Sequence, residues 1–345
     1  MGVGKSVKRL DAIQKVTGSA KYAEDLIPLD ALHMKVVHST IANGVVTAID
    51  TSEAERMPGV ELIITCFDVP DVEYATAGHP LSLDPDHADT KDKLILSRRA
   101  LYYGDDVAAV VADTPLNAQL AAEKVKVTYE EYAPMLTPET AIGGDSVMHA
   151  FRPTNELARM DFSISPEGDV SWYTGTFSTD ERIAGREDLR GERYAVPAVH
   201  ACHLENNTCF AYMEGRRMVV YSCNQVPHTL RRNIAEAIGL PVGDVRVVKP
   251  FMGGGFGNKQ DTMYEPLVAL ASLRLGGRCV AIVLTREETF VNTRTRHGFD
   301  MTIATKANAA GELTHRGIRI NSNGGSYAAH THAVAAYAVT SNFHT

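Results

Sequence analysis

Cysteine and tryptophan are scarce: the 345 residues hold five Cys and one Trp. The cysteines, Cys66, Cys202, Cys209, Cys223 and Cys279, are odd in number and none forms a C-x-x-C pair. Such spacing supplies no disulfide framework, no zinc ribbon and no iron–sulfur site. A redox role therefore requires electrons to leave through another subunit. No run of 18 apolar residues occurs, so no transmembrane helix is expected. The opening Met1 to Arg9 carries charge with no apolar stretch behind it, unlike a secretory leader. Together with the free thiols this gives a cytoplasmic expectation. Positive charge is also short. Lys and Arg number 34 against 42 Asp and Glu, a net charge of -8 and the wrong sign for nucleic-acid binding as the main task. What is present is ordinary for a globular protein: 44% hydrophobic and 22% charged residues, enough chain for about two domains.

Local patterns sketch a mixed α and β chain without internal repeats. Residues 31–38 and 60–66 are β-rich runs flanked by turn formers. Between them, Asp50 to Arg56 reads as a capped short helix ending before Pro58-Gly59. The Asp-, His- and Pro-rich stretch 71–98 reads as a long loop. Residues 106–112 read as a buried strand, 116–125 as a helix and 126–129 as a strand, a mixed α/β unit closing near Ile142 before Gly143-Gly144-Asp145. A second unit opens near residue 150, and its polar stretch 151–192 resists assignment. Then come a strand at 217–222, an amphipathic helix at 228–238 stopped by Gly239, a strand at 245–249, a helix at 265–275 ended by Gly276-Gly277, and a strand at 279–284. The last 30 residues mix strand-like patterns with Gly- and His-rich turns.

Three features carry potential chemistry. The first is Gly253-Gly254-Gly255-Phe256-Gly257, between a strand and a helix. Glycines admit close backbone approach, and a following helix would aim free N–H groups at an anion such as a phosphate. A tight turn whose glycines serve only packing would read the same. Residues 221–260 hold Arg231, Arg232, Arg246, Lys249 and Lys259 against Glu236 and Asp244, a locally basic stretch. Asn258 breaks the nicotinamide fingerprint, and Gly2 to Ser6 lacks the strand and earlier glycine of a P-loop. The second feature is His200-Ala201-Cys202-His203-Leu204-Glu205. It could ligate a metal, but no second cluster completes a zinc set, and a hydrogen-bonded network beside a pocket is the preferred reading. The third is Arg294, Arg296 and His297 with Asn321 to Tyr327, His330 and His332, which fits a cofactor groove or a solvated strand edge equally.

Four stretches then carry a resemblance. They are Arg9 to Ala12 with Lys15-Val16-Thr17-Gly18 through Asp25, Gly104 to Ala112 with Val125 to Tyr129, Ser222-Cys223-Asn224-Gln225-Val226-Pro227-His228, and Gly253 to Gln260. In this order they resemble the N-terminal half of the molybdenum-binding subunit of the xanthine dehydrogenase and aldehyde oxidase family, the molybdenum hydroxylases. The resemblance implies an α+β fold, with an α/β hammerhead domain over residues 1–142 and the first part of a molybdopterin-binding domain over 150–345. It implies molybdenum with molybdopterin, in the cytosine dinucleotide form, and 2Fe-2S and FAD on partner subunits.

The resemblance also assigns residues. Gln225 would lie beside the molybdenum and its oxo group, where a carboxamide donates N–H without adding charge. Phe256 would present its backbone to the metal centre, and Gly254, Gly255 and Gly257 would admit the pterin. Gln260, where purine-oxidising animal enzymes carry Glu, would touch substrate: a purine, another N-heterocycle or an aldehyde, hydroxylated with oxygen from water. The family's R-G-F-G segment and the G-V-G-E segment that carries the catalytic base lie further along than Thr345. The expectation is a truncated or naturally split unit with no catalytic base in this chain, Glu205 and Glu265 being structural. Expected partners are an Fe–S subunit, an FAD subunit and a second molybdenum-subunit chain. A carbon monoxide dehydrogenase large subunit shares the fold, and a non-catalytic half-subunit or assembly module is the alternative from another class.

Overall fold

The computed structural model describes residues 3–78, 89–142, 144, 147–150, 154–157, 161–164, 170–173 and 190–340. The expected boundary at Gly143 to Asp145 and most of the stretch 151–192 lie largely outside the described residues, as does 79–88 of the expected long loop.

The central feature is a seven-stranded sheet. Its spatial order is Val245–Val248, Arg217–Ser222, Thr208–Glu214, Val280–Val283, Leu32–His38, Asp106–Ala112 and Val60–Thr65. Strands from either side of residues 142–150 thus share one sheet. They meet where Leu32–His38 runs parallel to Val280–Val283, Leu32 opposite Val280 and His33 opposite Ala281. The other face of that junction is antiparallel, with His33 opposite Ala112. Every residue of Asp106–Ala112 is buried, as a strand covered on both faces requires. One apolar core runs through the join, from Leu32 and Val36 by way of Val107 and Val111 to Val220, Ile234, Leu267 and Leu284.

Helices pack where apolar periodicity and end signals agree. Pro115–Ala122 starts at Thr114, whose side chain accepts from Asn117 N at 3.2 Å. Pro227–Ile238 ends on Gly239, left-handed at φ 71. Glu265–Arg274 is buried from Glu265 through Ser272, so Leu267, Val268 and Leu270 each contribute about 1.5–3 kcal/mol.

Several local expectations fail for identifiable reasons. Asp50 to Arg56 forms no capped α-helix. Asp50 ends a strand, Gly44–Asp50, and only Ala54–Arg56 winds, as a 3-10 turn without a side-chain cap. Met57, which precedes Pro58, is forced extended at ψ 143. Gly44–Asp50 pairs with Lys126–Glu131 and Arg99–Ala100 in a small sheet. Near the end of the chain two long strands, Gly298–Ala307 and Leu313–Asn323, pair with each other, and Arg190–Val196 joins the first. After them Thr331–Thr340 is a helix where a strand-like pattern was read.

Candidate functional site

The edge strand Val245–Val248 delivers the chain through Pro250 and Phe251 into the glycine loop. The opening motif packs at this entrance. Tyr22 bridges to Phe251 with ring centroids 6.4 Å apart, and Lys15 Nζ lies 5.8 Å from the Phe251 ring. The opening stretch therefore packs against Phe251, two residues before the glycine loop.

Gln225 leaves the strand Arg217–Ser222 and lies under the loop. Its backbone N–H donates to Lys259 O at 2.7 Å. Its side-chain Oε1 accepts from Gly257 N at 3.0 Å and from Lys259 N at 3.3 Å. Two backbone donors fix the amide orientation, which leaves Nε2 to serve as a hydrogen-bond donor. Gly255 makes this fit possible, because a Cβ there would stand 2.6 Å from Gln225 Oε1. Gly254 serves differently: its φ is +100, closed to ordinary side chains. Phe256 is left-handed too, at φ 52, with its side chain 79% exposed. A bulky residue held in that conformation on the surface is local strain of the kind that gathers at ligand sites. Gln260 is half-buried at the end of the 3-10 turn Asn258–Gln260.

The anion cradle expected from a following helix is not built that way. The helix begins only at Glu265, beyond the 3-10 turn, and Glu265 itself accepts from Met263 N at 3.0 Å. Some of the loop N–H groups are also engaged. Gly253 N donates to Glu205 at 2.9 Å, and Asn258 N to Gly255 O at 2.8 Å. Among the described residues the N–H groups of Gly254, Gly255 and Phe256 find no acceptor.

The His-Cys-His cluster forms the network preferred on sequence grounds. His203 lies 2.6 Å from Glu205 O through Nδ1 and 2.8 Å from Asn258 Oδ1 through Nε2. His200 Nδ1 accepts from Cys202 N at 3.0 Å, and Nε2 lies 3.1 Å from Thr293 Oγ1 and from Asn258 Nδ2. Asn258 Nδ2 also donates to Arg294 O. Here Asn258 knits three segments, a role sequence reasoning missed. The buried Lys259 pairs with Glu205 at 2.6 Å, so one charge of the locally basic stretch is neutralised from 54 positions away. Glu265, also buried, accepts from Ser222 Oγ at 2.7 Å, and burial raises its pKa. Both glutamates thus make contacts that tie separate segments together. The third feature converges only in part. Arg294 contacts Asp261 at 3.2 Å and His330 at 3.0 Å, whereas Arg296 donates to Pro197 O at 3.3 Å.

Two histidines near this region give a pH signature. Burial, then the Arg294 charge, lowers His297 from 6.5 to about 4. A lowered His favours the neutral form in the fold, so its stability contribution is full above 6.5 and lost as pH falls from 6.5 to about 4. His38 is opposite. Burial disfavours its charge, but Asp106 at 3.2 Å and Glu288 at 3.4 Å override burial and raise it to about 9. Its contribution is full below 6.5 and lost as pH rises through about 9. His297 thus adds an acid limb to the melting temperature between about pH 4 and 6.5, and His38 an alkaline limb between pH 6.5 and about 9. His297→Asn should flatten the acid limb and His38→Gln the alkaline limb, in thermal scans across this range.

Comparison with known proteins places the chain in a family. Residues 17–133 match the aldehyde oxidase and xanthine dehydrogenase a/b hammerhead domain, and residues 162–344 the molybdopterin cofactor-binding domain. The chain is 38% identical over 329 residues to the xanthine dehydrogenase molybdenum-binding subunit of Escherichia coli O157:H7, covering 95% of this chain and 42% of that one. It is 30% identical over 331 residues to the nicotine 6-hydroxylase large subunit of Paenarthrobacter nicotinovorans, covering 94% and 38%. The aldehyde oxidoreductase structure from Desulfovibrio gigas superposes with TM-score 0.77 at 28% identity, over 92% of this chain and 34% of that one. The chain thus spans about two fifths of the length of the relatives it matches. With hammerhead and cofactor-binding sequences in order, the second over more than half its length, the chain belongs to the aldehyde oxidase and xanthine dehydrogenase family of molybdopterin-binding proteins, and its α+β fold is theirs.

Proposed function

We propose that this chain is the cofactor-cradling portion of the molybdenum-binding subunit of a xanthine dehydrogenase-like hydroxylase. The observation that carries the reading is Gln225, a neutral amide locked by its oxygen so that its N–H₂ group has no acceptor among the described residues. The residues present fit a molybdopterin. The loop approaches Gln225 closely only because Gly255 lacks a Cβ, and the N–H groups of Gly254, Gly255 and Phe256, without acceptors among the described residues, could donate to a ligand. Gln225 would orient the metal's ligands, Phe256 would offer backbone, and Gly254 to Gly257 would admit the pterin, held as the cytosine dinucleotide. Two-electron hydroxylation chemistry, with water as the oxygen source, comes from that group when bound. The chain's own residues bind, orient and shield. Gln260 would contact substrate, read as a purine or related N-heterocycle; the relatives named for xanthine and nicotine support an N-heterocycle.

Neither Glu205 nor Glu265 is read as the general base. Glu205 is committed to Lys259 and Gly253, and Glu265 to Ser222 and Met263. Electrons would pass to 2Fe-2S and FAD subunits in the cytoplasm. Gln225→Ala tests the reading. In the assembled enzyme it should lower kcat or molybdenum retention by about 10- to 100-fold, the range for removing a group that orients a metal's ligands. The melting temperature should fall by only a few degrees, because the half-buried Gln225 gives up two hydrogen bonds worth about 1–3 kcal/mol together. Unchanged turnover and metal content in this variant would remove Gln225 from the site.

A further inference from the structure

The seven-stranded sheet ends at Val245–Val248, and a groove of about 340 Å³ lies along that end. It touches Val245, Arg246 and Val247, three consecutive residues whose side chains alternate between faces, so it follows the strand's free edge. Its volume is in the range of small-molecule sites. Arg217, His228, Arg231, Arg246 and Lys249 line it, and among the described residues no Asp or Glu does. This concentration of positive charge stands in a chain of net charge -8.

The nearby acids are engaged elsewhere. Glu236 pairs with Lys91, and Asp244 pairs with Arg216 at 3.5 Å. The lining bases come from three elements: the starts of Arg217–Ser222 and of Pro227–Ile238, and the strand Val245–Val248 with the residue after it. The 12-residue helix Pro227–Ile238 brings its N-terminus here, through Pro227 and His228, with no side-chain cap on Val226. Its first-turn N–H groups and partial positive charge add to the same field. None of Gln225 or Gly253 to Gln260 lines the groove. The basic stretch noted in the sequence therefore divides. Lys259 is neutralised inside the glycine loop, while Arg231, Arg246 and Lys249 converge here.

We infer that this groove binds a small polyphosphate anion, either pyrophosphate or the di- or triphosphate of a nucleotide. Several bases around one concavity, beside an uncapped helix start, match a ligand with several charged oxygens. The test is calorimetric titration of inorganic pyrophosphate, AMP, ADP and ATP into the chain purified with the subunits it assembles with. Saturable pyrophosphate binding is expected, weakening as salt rises. Arg246→Glu with Lys249→Glu should weaken it about tenfold or more. Arg56→Glu with Lys124→Glu makes the same change in net charge near the opposite sheet edge and should weaken it less than about twofold. ADP binding much tighter than pyrophosphate would identify a nucleotide ligand, and equal affinities a ligand read through its phosphates alone. Two results overturn the inference. One is the absence of saturable binding by any of the four probes. The other is loss of a partner subunit from the Arg246→Glu, Lys249→Glu variant with pyrophosphate binding unchanged, which would make the groove a docking surface for an acidic protein.

Discussion

Gly255→Ala is expected to leave a folded protein that has lost about 100-fold in turnover. The new Cβ would stand 2.6 Å from Gln225 Oε1, well inside van der Waals contact. The obstructing atom is the far end of a flexible side chain, so the backbone need not move and Gln225 swings away. In doing so it gives up the N–H groups of Gly257 and Lys259. Two lost hydrogen bonds cost about 1–3 kcal/mol, a tolerable loss for a domain of this size. The functional loss is larger because a misplacement of about 1 Å in a positioned group costs about 100-fold. Turnover, molybdenum content and melting temperature of the assembled enzyme, measured together, separate the two effects. Turnover within twofold of the parent would show that Gln225 need not be held where it lies.

Lys259→Met should cost more in stability than any surface change in this chain, about 3–5 kcal/mol. Lys259 is 1% exposed, and its ammonium is paired at 2.6 Å with Glu205. Removing it strands a carboxylate whose other oxygen, Oε1, is already buried without a hydrogen-bond partner among the described residues. Glu205 would keep only the Gly253 N–H at 2.9 Å. Replacing both partners by apolar residues, Lys259→Met with Glu205→Leu, removes the stranded charge and should recover most of the loss. Denaturant unfolding of the two single variants and the double variant gives the coupling energy directly. Equal destabilisation in the Lys259 single and double variants would mean that the ion pair does not hold the loop.

Elements with a complete local signal were legible in the sequence. The strands Asp106–Ala112 and Arg217–Ser222 and the helix stopped by Gly239 are specified by their own apolar runs and turn formers. The joining of the sheet was not, because the pairing of Leu32 with Val280 depends on chain closure and leaves no mark in either segment. Gly44–Asp50 carries a short β-branched run, but the helix-like charges after Asp50 compete with it as a local signal. Thr331–Thr340 mixes β-branched residues and His with Ala, and tertiary context decides it as helix.

The site divides in the same way. The glycine loop is conspicuous as composition, and Gln225 became a candidate only through the family resemblance. What fixes them lay hidden. Glu205 was read as structural, but nothing in the sequence said that it reaches Lys259 and Gly253, or that Asn258 joins His200, His203 and Arg294. Net charge per window was misleading at Lys259 for that reason. A charge count along the chain cannot register a partner supplied by folding.

The central claim is that this chain cradles a molybdopterin between Gln225 and the glycine loop. The most direct test is metal and pterin analysis of the chain purified with its natural partners. The account predicts about one molybdenum per chain with a bound pterin that releases a cytidine phosphate. An intact assembly containing neither molybdenum nor pterin would contradict it and leave the Gln225–Gly255 contact as packing alone.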